Sequence, residues 1–322
     1  MKNKVRIAMI GCGQICSDHL GEIAHIPEAS VVGVCDLQGL LAQDMAERFG
    51  VGGWHTDFKK MVEETRPDVV HITTPPATHF DIGSYLLDKK CSIYVEKPIC
   101  LSKDDTVRLI EKAKANNLIV CPGFMQLEDV AASRFRKFRE SGKLGDVVHI
   151  ESYWGNSLAD NYSKIFLRTK SHWIHDLPGK LFQNIISHCI YHIVPFMPGE
   201  IDEIKCFIQD RSKNSVLPDE LRVVIRCGDV TAYVTFTSAV KPIKQFVRFY
   251  GSNAIVELDF ANHIFVSYEN TALPGPLGRV RNAVVPGMTS ILQGVINAKN
   301  FLLGKDRYFL GMCELFKLFY KR

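Results

Sequence analysis

Val5-Arg6-Ile7-Ala8-Met9-Ile10, followed at once by Gly11-Cys12-Gly13-Gln14-Ile15-Cys16, is the stretch that decides the fold. A short, nearly continuous apolar run is what a strand covered on both faces of a parallel sheet requires. The glycines that follow it, at the opening of a helix, form the G-x-G-x-x-G arrangement with Cys16 in the third place. Gly11 permits the tight turn, Gly13 lets a pyrophosphate approach the backbone, and the third position needs only a small side chain for helix–strand packing. The helix starting at Gln14 and Ile15 directs unpaired N–H groups and partial positive charge at such phosphates. Asp36 ends the next apolar run, about 20 residues further on, where a carboxylate meets ribose hydroxyls. Leu37 and Gln38 follow Asp36, and the next Arg is Arg48, so no cation is at hand for a 2′-phosphate. The segment predicts a dinucleotide site that takes NAD in preference to NADP.

The same rhythm extends outward to about residue 121. Val31–Cys35, Val69–Thr73, Ser92–Val95 and Leu118–Cys121 read as further strands, separated by amphipathic stretches, the pattern of βαβ units. One intervening helix starts at the N-cap Asp57 and must stop before Pro67. Another starts at Ser102, with Asp105 three residues on, and places Val107, Ile110 and Ala113 on one face. Beyond residue 122 the order changes. A helix over 127–141, the strand Val147–Trp154 and a helix over 180–196 precede six strands: Ile204–Gln209, Leu221–Arg226, Val230–Phe236, Phe246–Tyr250, Ala254–Leu258 and Ile264–Tyr268. Hairpin-like gaps such as Cys227-Gly228-Asp229 argue for antiparallel pairing. The expected fold is a doubly wound α/β Rossmann domain over residues 1–121. An α+β domain with a largely antiparallel open sheet follows over 122–322, with the site in the crevice between the two.

Composition narrows the function classes. The chain has 322 residues, 46% hydrophobic and 23% charged, with a formal net charge of +4. That balance is ordinary for a globular protein and too weakly basic for a nucleic-acid partner. No apolar run reaches the length of a membrane span, and no signal-peptide pattern precedes the first strand. Ten cysteines occur without a C-x-x-C pair, several inside apolar runs where a free thiol acts as a small hydrophobe. A reduced, cytosolic protein is expected.

Two more segments make the reading specific. Thr73-Thr74-Pro75-Pro76-Ala77-Thr78-His79 follows one strand and Glu96-Lys97-Pro98 follows the next. With the glycine turn, these resemble the glucose–fructose oxidoreductase/inositol dehydrogenase family, Gfo/Idh/MocA, over the whole first domain. The resemblance implies an NAD(P)-dependent oxidoreductase acting on a CH–OH group of a sugar, polyol or sugar derivative. It makes Thr73, Thr74, Pro75 and His79 cofactor-contacting, and sets Lys97 beside the nicotinamide with Glu96 orienting it. A cationic Lys97 stabilises the developing alkoxide. In the second domain, Leu177 to His188 resembles the family helix that carries an Asp and, four residues later, a His. Here the pair is Asn184 and His188, one turn apart on one face. His188 is the candidate acid/base, and Asn184 departs from the family pattern because an amide positions a hydroxyl but carries no charge. Tyr191, His175, His192 and Lys97 are the alternative proton carriers.

The polar stretch from Tyr153 to His175 reads either as a substrate wall, using Trp154, Arg168, His172 and Trp173, or as a loop packed on its domain. His188 and His192 share metal-ligand spacing, but the Glu of a zinc hydrolase helix is missing, so no metal is expected. Gly275-Pro276-Leu277-Gly278-Arg279 resembles a turn or flap, with Arg279 and Arg281 as weak candidates for an acidic substrate. The resemblance also implies a homodimer or homotetramer. It leaves two alternatives: a glycosidase that uses NAD transiently, and a non-catalytic dinucleotide sensor. Relatives usually continue past the helix-like 314–322 segment, so a C-terminally truncated chain is a further expectation.

Overall fold

The computed structural model describes residues 4–157, 169, 172–211, 219–304 and 309–321. Two compact units emerge: Met1–Met125 together with Phe309–Arg322, and Gln126–Tyr308.

The first unit is a parallel sheet of β1 (Val5–Ile10), β2 (Ala29–Cys35), β3 (Trp54–His55), β4 (Val69–Ile72), β5 (Ser92–Val95) and β6 (Val120–Pro122). Its strand order, β3-β2-β1-β4-β5-β6, is that of a doubly wound dinucleotide fold. The order reverses between β1 and β4, and ligands of such sheets bind at the strand carboxyl ends of that switch point. The central strands β1, β4 and β5 are largely buried on both faces, as their apolar runs require, whereas Trp54 of the edge strand β3 is exposed.

One face is covered by α1 (Gln14–Ile23) and α2 (Gly39–Phe49). The other is covered by α3 (Phe58–Thr65), α4 (His79–Asp88) and α5 (Lys103–Ala115). Asp57 caps α3 by accepting from the Lys59 N–H at 2.8 Å, and Ser102 caps α5 by accepting from the Asp105 N–H at 3.0 Å. On α5 the buried positions are Leu109 and Ala113, whereas Val107 is 42% exposed. The face that covers the sheet is therefore turned from the one the apolar spacing suggested.

The second unit holds α6 (Val130–Glu140), α7 (Lys180–Ile190), α8 (Gly275–Leu302) and seven strands. These are β7 (Val147–Ser157), β8 (Glu203–Gln209), β9 (Glu220–Cys227), β10 (Val230–Thr237), β11 (Ala239–Gly251), β12 (Ala254–Asp259) and β13 (Ile264–Glu269). The order is β13-β12-β11-β7-β10-β9-β8, antiparallel throughout except for the β7–β10 pair. Alternate residues of β9 and β10, among them Leu221, Val223, Ala232 and Val234, point into a core that α6 and α7 cover.

Three expectations change. The chain's last helix, α9 (Leu310–Tyr320), belongs to the first unit, so the second domain does not run to residue 322. Met312, Cys313, Phe316 and Phe319 of α9 are buried in the α1 face of the Rossmann core. Burying each large side chain contributes about 1.5–3 kcal/mol, enough to dock a short helix. Gly275–Arg279 opens the helix α8 instead of forming a flap, because proline is well tolerated in a first helical turn. The helix expected over 180–196 stops at Ile190, and Val194-Pro195-Phe196 forms a separate tight turn. No helix among the described residues is long and apolar enough to cross a membrane.

Candidate functional site

At the carboxyl end of β1 the backbone of Gly11 has φ +97°, a conformation open to glycine. A Cβ here would lie 2.8 Å from the Thr73 carbonyl carbon and the Thr74 nitrogen. Thr73 ties the two loops together, its hydroxyl donating to the Gly11 carbonyl at 2.7 Å. Gly11→Ala should therefore cost roughly 2–4 kcal/mol, combining backbone strain and overpacking against a backbone that cannot yield. A denaturant midpoint that falls with an unchanged m-value is the expected result.

Gly13 differs, with nothing within 4 Å of where its Cβ would be. That open space at the start of α1 fits a pyrophosphate against the main chain. Cys16 is fully buried in the α1 face of the core, as the third position of the motif demands. Asp36 accepts from the N–H groups of Cys12 and Gln38, each at 2.8 Å. These bonds fix the carboxylate at the end of β2 and leave acceptor capacity for ribose hydroxyls.

Glu96 and Lys97 follow β5. The Lys97 N–H donates to Glu96 Oε2 at 3.2 Å, and Gly123 leaves room for the carboxylate, since a Cβ there would lie 3.1 Å from Glu96 Oε1. Burial pushes the Lys97 amine below the ordinary lysine range, with the neighbouring Glu96 charge opposing it. Burial alone would raise Glu96, but the His19 hydrogen bond and the neighbouring Lys97 cation outweigh it and hold Glu96 below the usual carboxylate range.

His79, expected at the cofactor, is fully buried. Its Nδ1 faces the carbonyls of Pro98 and Ile99 at 3.0 and 3.1 Å, and its Nε2 faces the Thr74 carbonyl at 2.8 Å. It clamps the Thr73–Pro75 loop to the Pro98–Ile99 segment. Burial lowers its pKa while the three carbonyls pull the other way.

Sequence reasoning missed the partners of Glu96. His19 Nε2 lies 3.1 Å from Glu96 Oε1, His19 Nδ1 lies 3.0 Å from His71 Nδ1, and His71 Nε2 lies 2.8 Å from the Tyr320 hydroxyl. Both imidazoles are wholly buried. The available signal was His71, a polar residue in the otherwise apolar strand Val69-Val70-His71-Ile72.

In the second unit, His188 and Asn184 project from α7 one turn apart, His188 buried and Asn184 half-buried. The Tyr191 hydroxyl donates to Gln126 Oε1 at 2.9 Å and lies 3.2 Å from His188 Nδ1. A hydroxyl that gives its proton to Gln126 accepts from His188, which sets the Nδ1–H tautomer and makes Nε2 the basic nitrogen. Trp154 stacks on the His188 ring at 4.5 Å, so the indole holds the imidazole in place. Gln126 was not foreseen.

Trp154 and Trp173 both pack against this unit's core. His172 caps the short turn Trp173–His175, accepting from the Ile174 N–H at 3.3 Å, and His175 is partly exposed at its end. Arg168 lies outside the described residues. His192 does not share the surroundings of His188: it is buried, stacked on Phe260 at 4.6 Å, and burial pushes its pKa down to about 3. Among the described residues no group of three or more His, Cys, Asp or Glu side chains could hold a metal ion.

A family model described as an oxidoreductase family with an NAD-binding Rossmann fold matches residues 5–124, and the GFO/IDH/MocA C-terminal domain matches residues 133–257. The chain belongs to the Gfo/Idh/MocA family. Over 154 residues it is 29% identical to a scyllo-inositol 2-dehydrogenase (NAD(+)) of Bacillus subtilis, covering 48% of this chain and 45% of that protein. It thus spans about half the length of that relative. Oxidoreductase P35 of Formosa agariphila is 24% identical over 264 residues, covering 80% and 76% of the two chains. The WlbA dehydrogenase of Bordetella pertussis, solved with NADH and UDP-GlcNAcA, superposes with a TM-score of 0.73 at 17% identity, over 100% of this chain and 96% of that one. At that identity the likeness is one of fold. The matched Rossmann fold of this Gfo/Idh/MocA protein is NAD-binding, and it is the unit that holds the dinucleotide.

Proposed function

We propose that this Gfo/Idh/MocA protein transfers a hydride between NAD and a secondary alcohol or ketone of a sugar, polyol or sugar derivative. The observation that carries the reading is Glu96-Lys97, set at the carboxyl end of β5 in the same sheet as the glycine turn of β1. NAD, when bound, supplies or accepts the hydride. Lys97 holds the substrate oxygen and stabilises the charge that develops on it as the O–H bond breaks. Glu96 fixes the lysine, His188 takes or returns the hydroxyl proton at Nε2, and Asn184 positions the substrate. Trp154, Trp173, His172, His175 and Tyr191 are the proposed substrate contacts. The names of the inositol dehydrogenase relative and of the WlbA ligand support a polyhydroxylated substrate. All ten cysteines are free thiols, nine of them buried, which fits a reducing, cytosolic setting. A homodimer or homotetramer is the proposed assembly. The apolar residues Ile204, Phe207 and Ile208 on the exposed edge strand β8 support it.

The test is NADH formation from NAD+ with a panel of inositols, aldoses and UDP-sugars. A product with stoichiometric NADH supports the reading. A glycoside cleaved without net NADH replaces it with the glycosidase reading, and NAD binding without turnover on any of them favours a sensor.

Cofactor choice gives a second expected outcome. NAD+ should bind at least about tenfold more tightly than NADP+, a gap of ~1.4 kcal/mol, because the Asp36 carboxylate repels a 2′-phosphate. Asp36→Ala should narrow the gap. It should also weaken both ligands somewhat, since the Cys12 and Gln38 N–H groups lose their acceptor. Calorimetric titration reads both effects, and equal binding of the two dinucleotides to the unaltered protein removes the argument.

A further inference from the structure

Four polar side chains from distant parts of the sequence form one file through the Rossmann core: Glu96, His19, His71 and Tyr320. The file is walled by aromatic rings. Tyr94 stacks on His71 at 4.8 Å, and Phe316 meets the His19, His71 and Tyr94 rings edge-on at 4.7–5.2 Å. A buried polar network in such surroundings is destabilising unless every member is satisfied.

Here satisfaction fixes the protons. If Glu96 is a carboxylate and both rings are neutral, only one arrangement uses every group. Tyr320 O–H donates to His71 Nε2, His71 Nδ1–H donates to His19 Nδ1, and His19 Nε2–H donates to Glu96 Oε1. Every hydrogen points toward Glu96, whose other oxygen accepts the Lys97 N–H. We propose that His19, His71 and Tyr320 are positioning residues for the Glu96–Lys97 pair, a file of single polarity through which α9 keeps Glu96 charged and oriented. The proposal rests on the reading of Lys97 as the group that meets substrate.

The surrounding titratable groups agree with this polarity. Burial drives His71 well below the ordinary histidine range, so His71 is neutral. Burial also raises Tyr320 well above the usual phenol range, so its hydroxyl keeps its proton. The groups facing the file are Asp18 on α1, Lys97 beside Glu96, Tyr94 on β5, and Cys121 and Cys313 near Tyr320. Lys97 is the cation of this set, and it lies at the Glu96 end.

The test needs no substrate. Trinitrobenzenesulfonate reacts only with a neutral amine, so labelling of Lys97 across pH, read by peptide mass, reports its charge. In His19→Phe, which suits the aromatic wall but cannot donate, Glu96 neutralises more readily and Lys97 loses its counter-charge. Labelling at neutral pH should then rise about five- to tenfold, the size of a shift approaching one pKa unit. His19→Gln, which can present an amide N–H to the same carboxylate, should stay within about twofold of the unaltered protein. Tyr320→Phe should move labelling in the same direction as His19→Phe, by less, and serves if His19→Phe does not fold. Nitrogen-15 histidine spectra of the unaltered protein should show His19 protonated on Nε2 and His71 on Nδ1. Labelling unchanged in His19→Phe and Tyr320→Phe overturns the proposal, as does a charged His19 or a His71 protonated on Nε2. Neither readout depends on turnover, so these shifts with no oxidisable polyol or sugar uphold the file and overturn the functional reading instead.

Discussion

Lys97→Ala should lower turnover by at least about a hundredfold and leave NAD+ affinity within about threefold. The first figure is the lower range for losing one positioned donor to a developing oxyanion. The second follows from where the proposed dinucleotide contacts lie: the glycine turn after β1, the start of α1 and Asp36 at the end of β2 are untouched by a change after β5. Steady-state kinetics and calorimetry on the same preparation separate the two. Near-normal turnover in this variant would make Glu96-Lys97-Pro98 a structural turn. The pH profile adds a sign. The useful form of Lys97 is the cation, so activity should fall as pH rises through its folded pKa, and burial puts that falling limb below the ordinary lysine range.

His188→Ala should cost about 10²–10⁴-fold in the oxidation direction, the span for removing a general base. Asn184→Ala should cost less than about tenfold, because an amide contributes hydrogen bonds without charge. Neutral imidazole is the form that accepts a proton, so oxidation should show a limb rising with pH through a histidine titration, and His188→Ala should flatten it. Tyr191 sharpens the expectation: its hydroxyl, committed to Gln126, fixes the imidazole tautomer. Tyr191→Phe should therefore lower turnover while leaving the rising limb in place. If His188→Ala stays active and His175→Ala or Tyr191→Phe does not, the acid/base role moves off His188. If none of these changes matters and no polyol or sugar is oxidised detectably, Asn184 marks a site without dehydrogenase chemistry.

The cofactor end was legible because its determinants are local. Gly11, Gly13 and Cys16 occupy positions set by one strand–turn–helix unit, where short-range sterics dictate which residue types fit, and Asp36 stands at the end of the strand that follows. The antiparallel sheet was legible for a similar reason, since alternation along β9 and β10 and the two-residue turn at Gly228-Asp229 are written in consecutive residues. The docking of α9 was not. Its apolar residues declare that the helix is buried, but nothing in them specifies which sheet face receives it. The file behind Glu96 was hidden for the same reason, because His19 and His71 stand 52 residues apart and His71 and Tyr320 stand 249 apart. The ring contacts of His79 were hidden because two of the three carbonyls that face it, those of Pro98 and Ile99, come from a different loop. Gly275–Arg279 was misread because Gly and Pro together signal a turn, although proline near the start of a run is equally a helix opener.

The most direct single measurement is a crystal structure of the protein with NAD+ bound. The account predicts the pyrophosphate against the Gly11–Gly13 turn, the adenine-side ribose on Asp36, and the nicotinamide ring within van der Waals reach of Lys97. A dinucleotide whose nicotinamide lies away from Glu96 and Lys97, with the lysine contacting neither the ring nor a bound polyol, would contradict it.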